Sequence, residues 1–294
     1  MAAKMLINPN IYHDEGTRIW GYTSQYRDKP LTDACSPGKR KWLERSIMEK
    51  WLKGTIVEKR HWSGKLYSLR LKAPVDAFIA GQFTRLALEI DGERVARPYS
   101  FVNPPQDELL EVHFNEVENG PLSPRLAALK PGDRIWVSAK ANGFFTLDQL
   151  PQSENLWMIA TGTALGVYLS ILRTELPWQR FLQIVLVHNV PYKDQLSYGE
   201  EIANLTQRYG ERFRYLPITS REQVDDALHG RILAALEDGR LEKHAGVALT
   251  PEKSHVMLCG NMGMIREVSA ALESRGMRKH RKKEPGHFTT EKYH

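Results

Sequence analysis

Between residues 55 and 137 apolar and polar positions alternate with a period of two. Tyr67, Leu69 and Leu71 alternate with Ser68 and Arg70, Leu86, Leu88 and Ile90 with Ala87 and Glu89, and Leu110, Val112 and Phe114 with Glu111 and His113. Ile135 and Val137 close the series after the turn Pro131-Gly132-Asp133. This period marks half-buried antiparallel strands, and about six of them in so short a stretch predict a small all-β barrel or sandwich. Asp91-Gly92 predicts a hairpin leading into the segment Arg97-Pro98-Tyr99-Ser100.

After Pro151 the pattern changes. Continuous apolar runs at 156–160, 184–187, 215–218 and 256–258 alternate with helical segments, one of them spanning 198–209 and stopping at Gly210. Such runs predict a parallel sheet covered on both faces, with ligands bound beyond the C-terminal ends of its strands. Residues 1–47 show neither period, carry Pro9, Pro30 and Pro37, and predict an extension with little structure of its own beyond a short helix at 39–50. Met48 is a candidate start for the compact protein. The expected organisation is an extension over 1–47, a β domain over 48–150 and an α/β domain over 151–294.

Composition narrows the chemistry more than the fold. The chain has 294 residues, enough for two domains, and only two cysteines, Cys35 and Cys259, which rules out a four-cysteine zinc or iron–sulfur site. Such sparse cysteine use points to a reducing, cytoplasmic setting. Ten histidines occur without a ligand-spaced pair, so no metal site is expected, and neither a P-loop nor a G-x-S-x-G elbow is present. The longest apolar run, 156–172, is interrupted by Thr161, Gly162, Thr163, Gly166 and Ser170 and is too short for a membrane span, so no stable membrane insertion is expected. A net charge of +6 suits an acidic protein, a phosphorylated ligand or nucleic acid alike. The basic run at 278–283 has no interleaved aromatics, which favours a solvated segment over a nucleic-acid contact.

In an extended strand Arg97 and Tyr99 share a face and Ser100 takes the other. A guanidinium fork and an aromatic ring so placed suit a ligand with a phosphate at one end and a flat ring at the other, although a barrel strand with a surface arginine and a half-buried tyrosine fits the same pattern. Ser123 is a candidate N-cap for an apolar helix at 126–129, and that helix start is either simple capping or an anion site. In the α/β half, Gly162 and Thr163, then Ser220 and Arg221, then Arg231, then Cys259, Gly260 and Asn261 fall at strand ends. The loop after the first strand lacks G-x-G-x-x-G. Two arginines there would favour a ribose 2′-phosphate, hence NADP, while each taken singly also fits a solvated surface charge.

A barrel with R-x-Y-S followed by G-T-A, S-R, G-R-I and C-G-N at successive strand ends resembles the ferredoxin–NADP reductase family, most closely its bacterial ferredoxin/flavodoxin type. The likeness runs from residue 48 to the tail through Pro285-Gly286-His287 and Tyr293. It implies an antiparallel Greek-key barrel for FAD followed by a parallel-sheet α/β domain for NADP. It further implies FAD held by Arg97, Pro98, Tyr99, Ser100, Leu122 and Ser123, approached by Thr163, Tyr293 and His294, and NADP held by Ser220, Arg221, Arg231, Gly260 and Asn261. Ser100 and Cys259 are the implied catalytic pair. Three departures stand out: Val167 replaces a usual proline, Pro191 replaces a phosphate-binding arginine, and His294 ends the chain where relatives often have an aromatic. The implied activity passes a hydride between NADP(H) and FAD and single electrons to ferredoxin or flavodoxin, an acidic and transient partner, with the reductase itself a monomer. Free-flavin or quinone reduction on the same scaffold is the alternative, and a cofactor- or nucleic-acid-binding regulatory module a more distant one.

Overall fold

The alternating half folds into six strands: β1 (Trp51–Ser63), β2 (Leu66–Lys72), β3 (Phe83–Ile90), β4 (Glu93–Ser100), β5 (Leu110–Asn115) and β6 (Arg134–Ser138). The structure, a computed structural model, describes residues 50–293. The expected helix at 39–50, the extension over 1–47, the Met48 start and His294 therefore lie outside the described residues, save that Lys50 is irregular. Every pairing is antiparallel, in the order β4-β3-β6-β1-β2-β5. Phe101 bridges Val112, and the Val102 N–H donates to the Glu111 carbonyl at 2.9 Å, so the end of β4 meets β5 and the sheet closes on itself. Leu69, Leu71, Leu86, Phe101, Val112 and Val137 fill the interior, as the alternation requires. Asp91 (φ 51°) and Gly92 (φ 81°) both lie in the left-handed region, the conformation a two-residue hairpin needs.

Helix α1 (Ser123–Ala128) begins three residues before the expected 126 and is capped by Leu122 without a side-chain bond. Ser123 is thus not the N-cap. Its hydroxyl accepts from the Val117 N–H at 2.9 Å and fastens the preceding loop instead. Pro124 explains the earlier start, since proline suits the first turn of a helix.

The second half forms a wholly parallel sheet: β7 (Asn155–Thr161), β8 (Gln183–Val190), β9 (Phe213–Thr219), β10 (Leu228–His229), β11 (Ser254–Gly260) and β12 (Phe288–Lys292). The order is β10-β9-β8-β7-β11-β12. Helices α2 (Leu165–Leu172), α3 (Leu176–Arg180), α4 (Gly199–Tyr209), α5 (Ile232–Glu237), α6 (Arg240–Ala245) and α7 (Met262–Ser274) connect the strands. Along β7, Leu156, Met158 and Ala160 enter one core while Trp157 and Ile159 enter the other, so both faces need apolar side chains. Succession runs outward from β7 to β10 and then returns to β11 on the other side of β7. The reversal leaves a crevice between the C-terminal ends of β7 and β11, the place where open α/β sheets bind ligands. Strands β10 and β12 are absent from the sequence-based expectation: β10 is two residues long, and β12 is Phe-Thr-Thr-Glu-Lys with no apolar run.

The barrel and the parallel sheet share a polar, buried seam. His113 on β5 lies between the Ser68 hydroxyl and the Ser197 hydroxyl, each at 3.0 Å. The Tyr198 hydroxyl sits 2.7 Å from the Ser68 hydroxyl and donates to Glu111 at 2.8 Å. Burial holds His113 neutral, its pKa depressed to about 3, which suits an imidazole flanked by hydroxyls. No helix among the described residues is long and apolar enough to cross a membrane.

Candidate active site

Strand β4 delivers Arg97-Pro98-Tyr99-Ser100 to the rim of the barrel. Arg97 lies opposite Leu86 and Tyr99 opposite Thr84, so the two share a face, while Pro98 is exposed opposite Arg85. The Arg97 guanidinium donates to the Ala96 carbonyl at 2.8 Å and has no carboxylate partner among the described residues, which leaves its charge for an anion. Tyr99 meets the ring of Phe114 edge-on, with centroids 5.9 Å apart. Burial raises the Tyr99 phenol to about 12, against a smaller opposing pull from Arg97, so it stays protonated as a flat aromatic wall. Leu122 and Ser123 are buried at the start of α1.

The crevice of the α/β sheet is built by interlocked loops. Gly260 has φ 131°, and a Cβ there would fall 2.1 Å from the Thr161 hydroxyl, so only glycine lets β11 approach β7 so closely. That hydroxyl accepts from the Asn261 N–H at 2.8 Å. Asn261 spends its own side-chain oxygen capping α7, accepting from the N–H groups of Gly263 and Met264. Its side-chain oxygen is therefore spent on the cap, while the residue stays exposed at the end of β11. Across the gap, Gly162 opens the turn that presents Thr163, and the Gly162 carbonyl lies 3.0 Å from Nε2 of the buried His188. Because burial depresses His188 to about 4, the ring is neutral and donates one N–H to that carbonyl.

The chain's last strand carries residues back to the barrel. The Tyr293 N–H donates to the Gly260 carbonyl at 3.1 Å, and Ser100 acts on the Tyr293 phenol, pulling it down against the much larger rise that burial imposes. Ser100, Cys259, Gly260 and Tyr293, four residues singled out from the sequence, thus meet at one point. Cys259 is fully buried, and burial together with nearby Glu291 pushes its thiol well above the usual range. It presents a neutral sulfur, not a thiolate nucleophile.

Glu291, beside Cys259 in the β11–β12 register, was missed by the sequence reading. Burial raises its carboxyl to about 7, and its Oε2 is buried without a partner. No local pattern marks it, because Phe288–Lys292 has no strand period and the acid gains its significance only from burial beside Cys259.

The remaining residues gather at the other end of the same sheet edge. The Ser220 N–H donates to the Val190 carbonyl at 3.0 Å and the Arg221 N–H to the Pro191 carbonyl at 2.9 Å. Gly230 bonds back to Thr219, and Arg231 caps α5, so Ser220, Arg221 and Arg231 all stand at strand C-terminal ends. The basic run 278–283 does not: Lys279 bridges Phe288, the first residue of β12, at the opposite end of the sheet.

The residues fit a bound flavin and nicotinamide nucleotide on grounds internal to the molecule. A guanidinium with no carboxylate partner among the described residues and a flat protonated phenol share one strand face. A buried, partnerless carboxyl oxygen and a crevice between β7 and β11 complete the set.

Comparison with known proteins agrees with this geometry. Residues 54–144 match the oxidoreductase FAD-binding domain and residues 158–270 the oxidoreductase NAD-binding domain. The flavodoxin/ferredoxin–NADP reductase of Escherichia coli is 49% identical over 247 residues, covering 84% of this chain and 100% of that protein. The ferredoxin–NADP reductase of Pseudomonas aeruginosa is 31% identical over 247 residues, covering 81% of this chain and 95% of its own length. Among solved structures, a ferredoxin NADP+ reductase from Neisseria gonorrhoeae with bound FAD and NADP superposes with a TM-score of 0.79 at 30% identity, covering 83% of this chain and 98% of that one.

Proposed function

The chain belongs to the flavodoxin/ferredoxin–NADP reductase family, and from that membership we propose how its residues divide the work. It is an FAD-dependent oxidoreductase that exchanges a hydride with NADP(H) and single electrons with a ferredoxin or flavodoxin. Bound FAD supplies the conversion between paired and single electrons. Arg97 neutralises the flavin nucleotide's pyrophosphate from the barrel rim, with Leu122 and Ser123 bordering it. Tyr99 stacks against the ring and Pro98 stiffens the strand between them. Thr163 approaches from the α/β side, and Tyr293 lies over the same site. Ser100 holds a hydroxyl at the reacting edge, while Glu291 retains a proton there up to about pH 7. Cys259, fully buried, packs behind the end of β11 as a neutral thiol, and Ser220, Arg221, Arg231, Gly260 and Asn261 receive the NADP. The FAD-binding portion spans 48–150 and the NADP-binding portion 151–294.

The observation that supports this most is the junction of Ser100 with Tyr293 and Gly260, which brings a barrel residue to the switch point of the nucleotide sheet. The chain's excess of +6 suits an acidic carrier, met transiently by a monomeric reductase in the cytoplasm. Steady-state NADPH oxidation with ferredoxin, flavodoxin, free flavin or quinone as acceptor tests the proposal. The carrier proteins should give the highest kcat/KM and lose it as salt rises. A clear preference for free flavin or quinone would replace the carrier assignment.

A further inference from the structure

Strand β8 ends in two polar residues whose side chains lead to different loops, as the alternation of a strand between its two faces requires. His188 is fully buried, and its Nε2 lies 3.0 Å from the Gly162 carbonyl just past the end of β7. Its Nδ1 lies 3.4 Å from the Tyr215 hydroxyl of β9. A hydroxyl that donates to Nδ1 leaves the single N–H of the neutral ring on Nε2, aimed at Gly162. Gly162 has use for that restraint, because it sits at φ 54° with nothing within 4 Å of where a Cβ would stand. One residue earlier, the Thr161 hydroxyl accepts from the Asn261 N–H at 2.8 Å. The turn that presents Thr163 is thus pinned from β11 on one side and from β8 on the other. Asn189 serves a second loop. Its Nδ2 donates to the Ile218 carbonyl at 3.1 Å and to the Gly230 carbonyl at 3.4 Å. The Gly230 N–H in turn donates to the Thr219 carbonyl at 3.0 Å, so the residue before Arg231 is held through both of its backbone polar groups.

We propose that His188 and Asn189 are positioning residues that divide the two cofactor loops between them, His188 setting the turn 162–164 at the crevice and Asn189 setting Gly230 and Arg231. Both act through backbone carbonyls. Because their side chains leave opposite faces of one strand, either loop is loosened without the other. Loss of the His188 N–H frees a buried carbonyl and lets the turn pivot about Gly162, which displaces the wall against which the reacting groups are aligned. A step that depends on near-contact geometry slows when that wall moves, while the binding contacts elsewhere remain. Loss of the Asn189 amide lets Gly230 and Arg231 drift, which weakens the hold on the dinucleotide and leaves the alignment at the crevice intact. The assignment rests on the hydride exchange with NADP(H) set out above.

The test is anaerobic stopped-flow reduction of the holoenzyme's flavin by NADPH, which gives the limiting rate and the apparent Kd separately. His188→Asn and His188→Gln introduce the same amide, but only the longer side chain extends as far as Nε2 and keeps a donor on Gly162. His188→Asn should lower the limiting rate about tenfold with Kd within about twofold of wild type, and His188→Gln should restore the rate. Asn189→Ala should raise Kd about fivefold and leave the limiting rate unmoved. A wild-type flavin that NADPH does not reduce would overturn the functional reading and this one with it. With an active wild type, an unchanged rate in His188→Asn, or equal losses in His188→Asn and His188→Gln whether of rate or of bound FAD, would overturn the role of His188. An Asn189→Ala variant with the wild-type Kd, or with a rate lowered as far as in His188→Asn, would overturn the role of Asn189 and the division between the two.

Discussion

At the scale of single residues, Glu291 is where environment most alters chemistry. Its carboxyl is raised from 4.5 to about 7 by burial, and its Oε2 has no partner. The folded state therefore binds this proton more tightly than the unfolded chain does. The stability that the proton contributes is fully present below about 4.5 and is lost as pH rises through about 7. Glu291→Gln should accordingly stabilise the holoenzyme at pH 8, by at most about 3 kcal/mol and seen as a higher melting temperature, and give a smaller difference at pH 5. Equal destabilisation at both pH values would show that the carboxyl is satisfied by something other than a proton. The shared face of Arg97 and Tyr99 was legible in the sequence because the strand period places alternate residues together. Glu291 was not, since its significance comes from burial against Cys259 on another strand, which no local pattern records. Ser123 misled for a related reason: a serine before a helix suggests a cap, but its hydroxyl is spent on the Val117 N–H.

Among the elements, α2 sets how closely the parallel sheet and the barrel approach. Gly166 on α2 faces Val102 just after β4, and a Cβ at Gly166 would lie 2.9 Å from Val102 Cγ2. The Ser170 hydroxyl, one turn on, donates to the Asn103 carbonyl at 2.8 Å and fixes the same contact. Gly166→Ala should cost about 1–3 kcal/mol by overpacking, measured by denaturant unfolding, and Val102→Ala in the same chain should recover part of it. Simple additivity of the two changes would mean that α2 shifts freely and that the contact is not tight. The strands β2, β3, β5 to β9 and β11 could be anticipated from their periods and β4 from the hairpin before it, whereas β1 was implied only by the number of strands and β12 not at all. Its Thr-Thr-Glu-Lys stretch has the composition of a loop and becomes a strand only because β11 offers an edge for it to join. That late strand is what returns Tyr293 to Ser100, so the element hardest to read carries part of the site.

For the whole molecule, two sheets of opposite grammar meet so that the barrel rim borders the crevice between β7 and β11. The barrel supplies a cation, a ring and a hydroxyl, and the parallel sheet supplies a switch point whose loops interlock through Thr161, Gly260 and Asn261. The seam of His113, Ser68, Ser197, Tyr198 and Glu111 holds the halves together with buried hydrogen bonds, so the site is preformed in the fold. Fold class and domain order were legible from periodicity. The pairing across the crevice was not, because it depends on contacts a hundred residues apart, such as Thr161 with Asn261.

The most direct measurement is the absorbance spectrum and released cofactor of the purified protein, followed by anaerobic addition of NADPH, for wild type and Tyr99→Ala side by side. Wild type should be yellow, release FAD at about one per chain, and bleach on NADPH, while Tyr99→Ala keeps the far-UV circular dichroism of a folded protein with reduced FAD content. A colourless wild type, a flavin that NADPH does not bleach, or a Tyr99→Ala variant with undiminished FAD content would contradict the account.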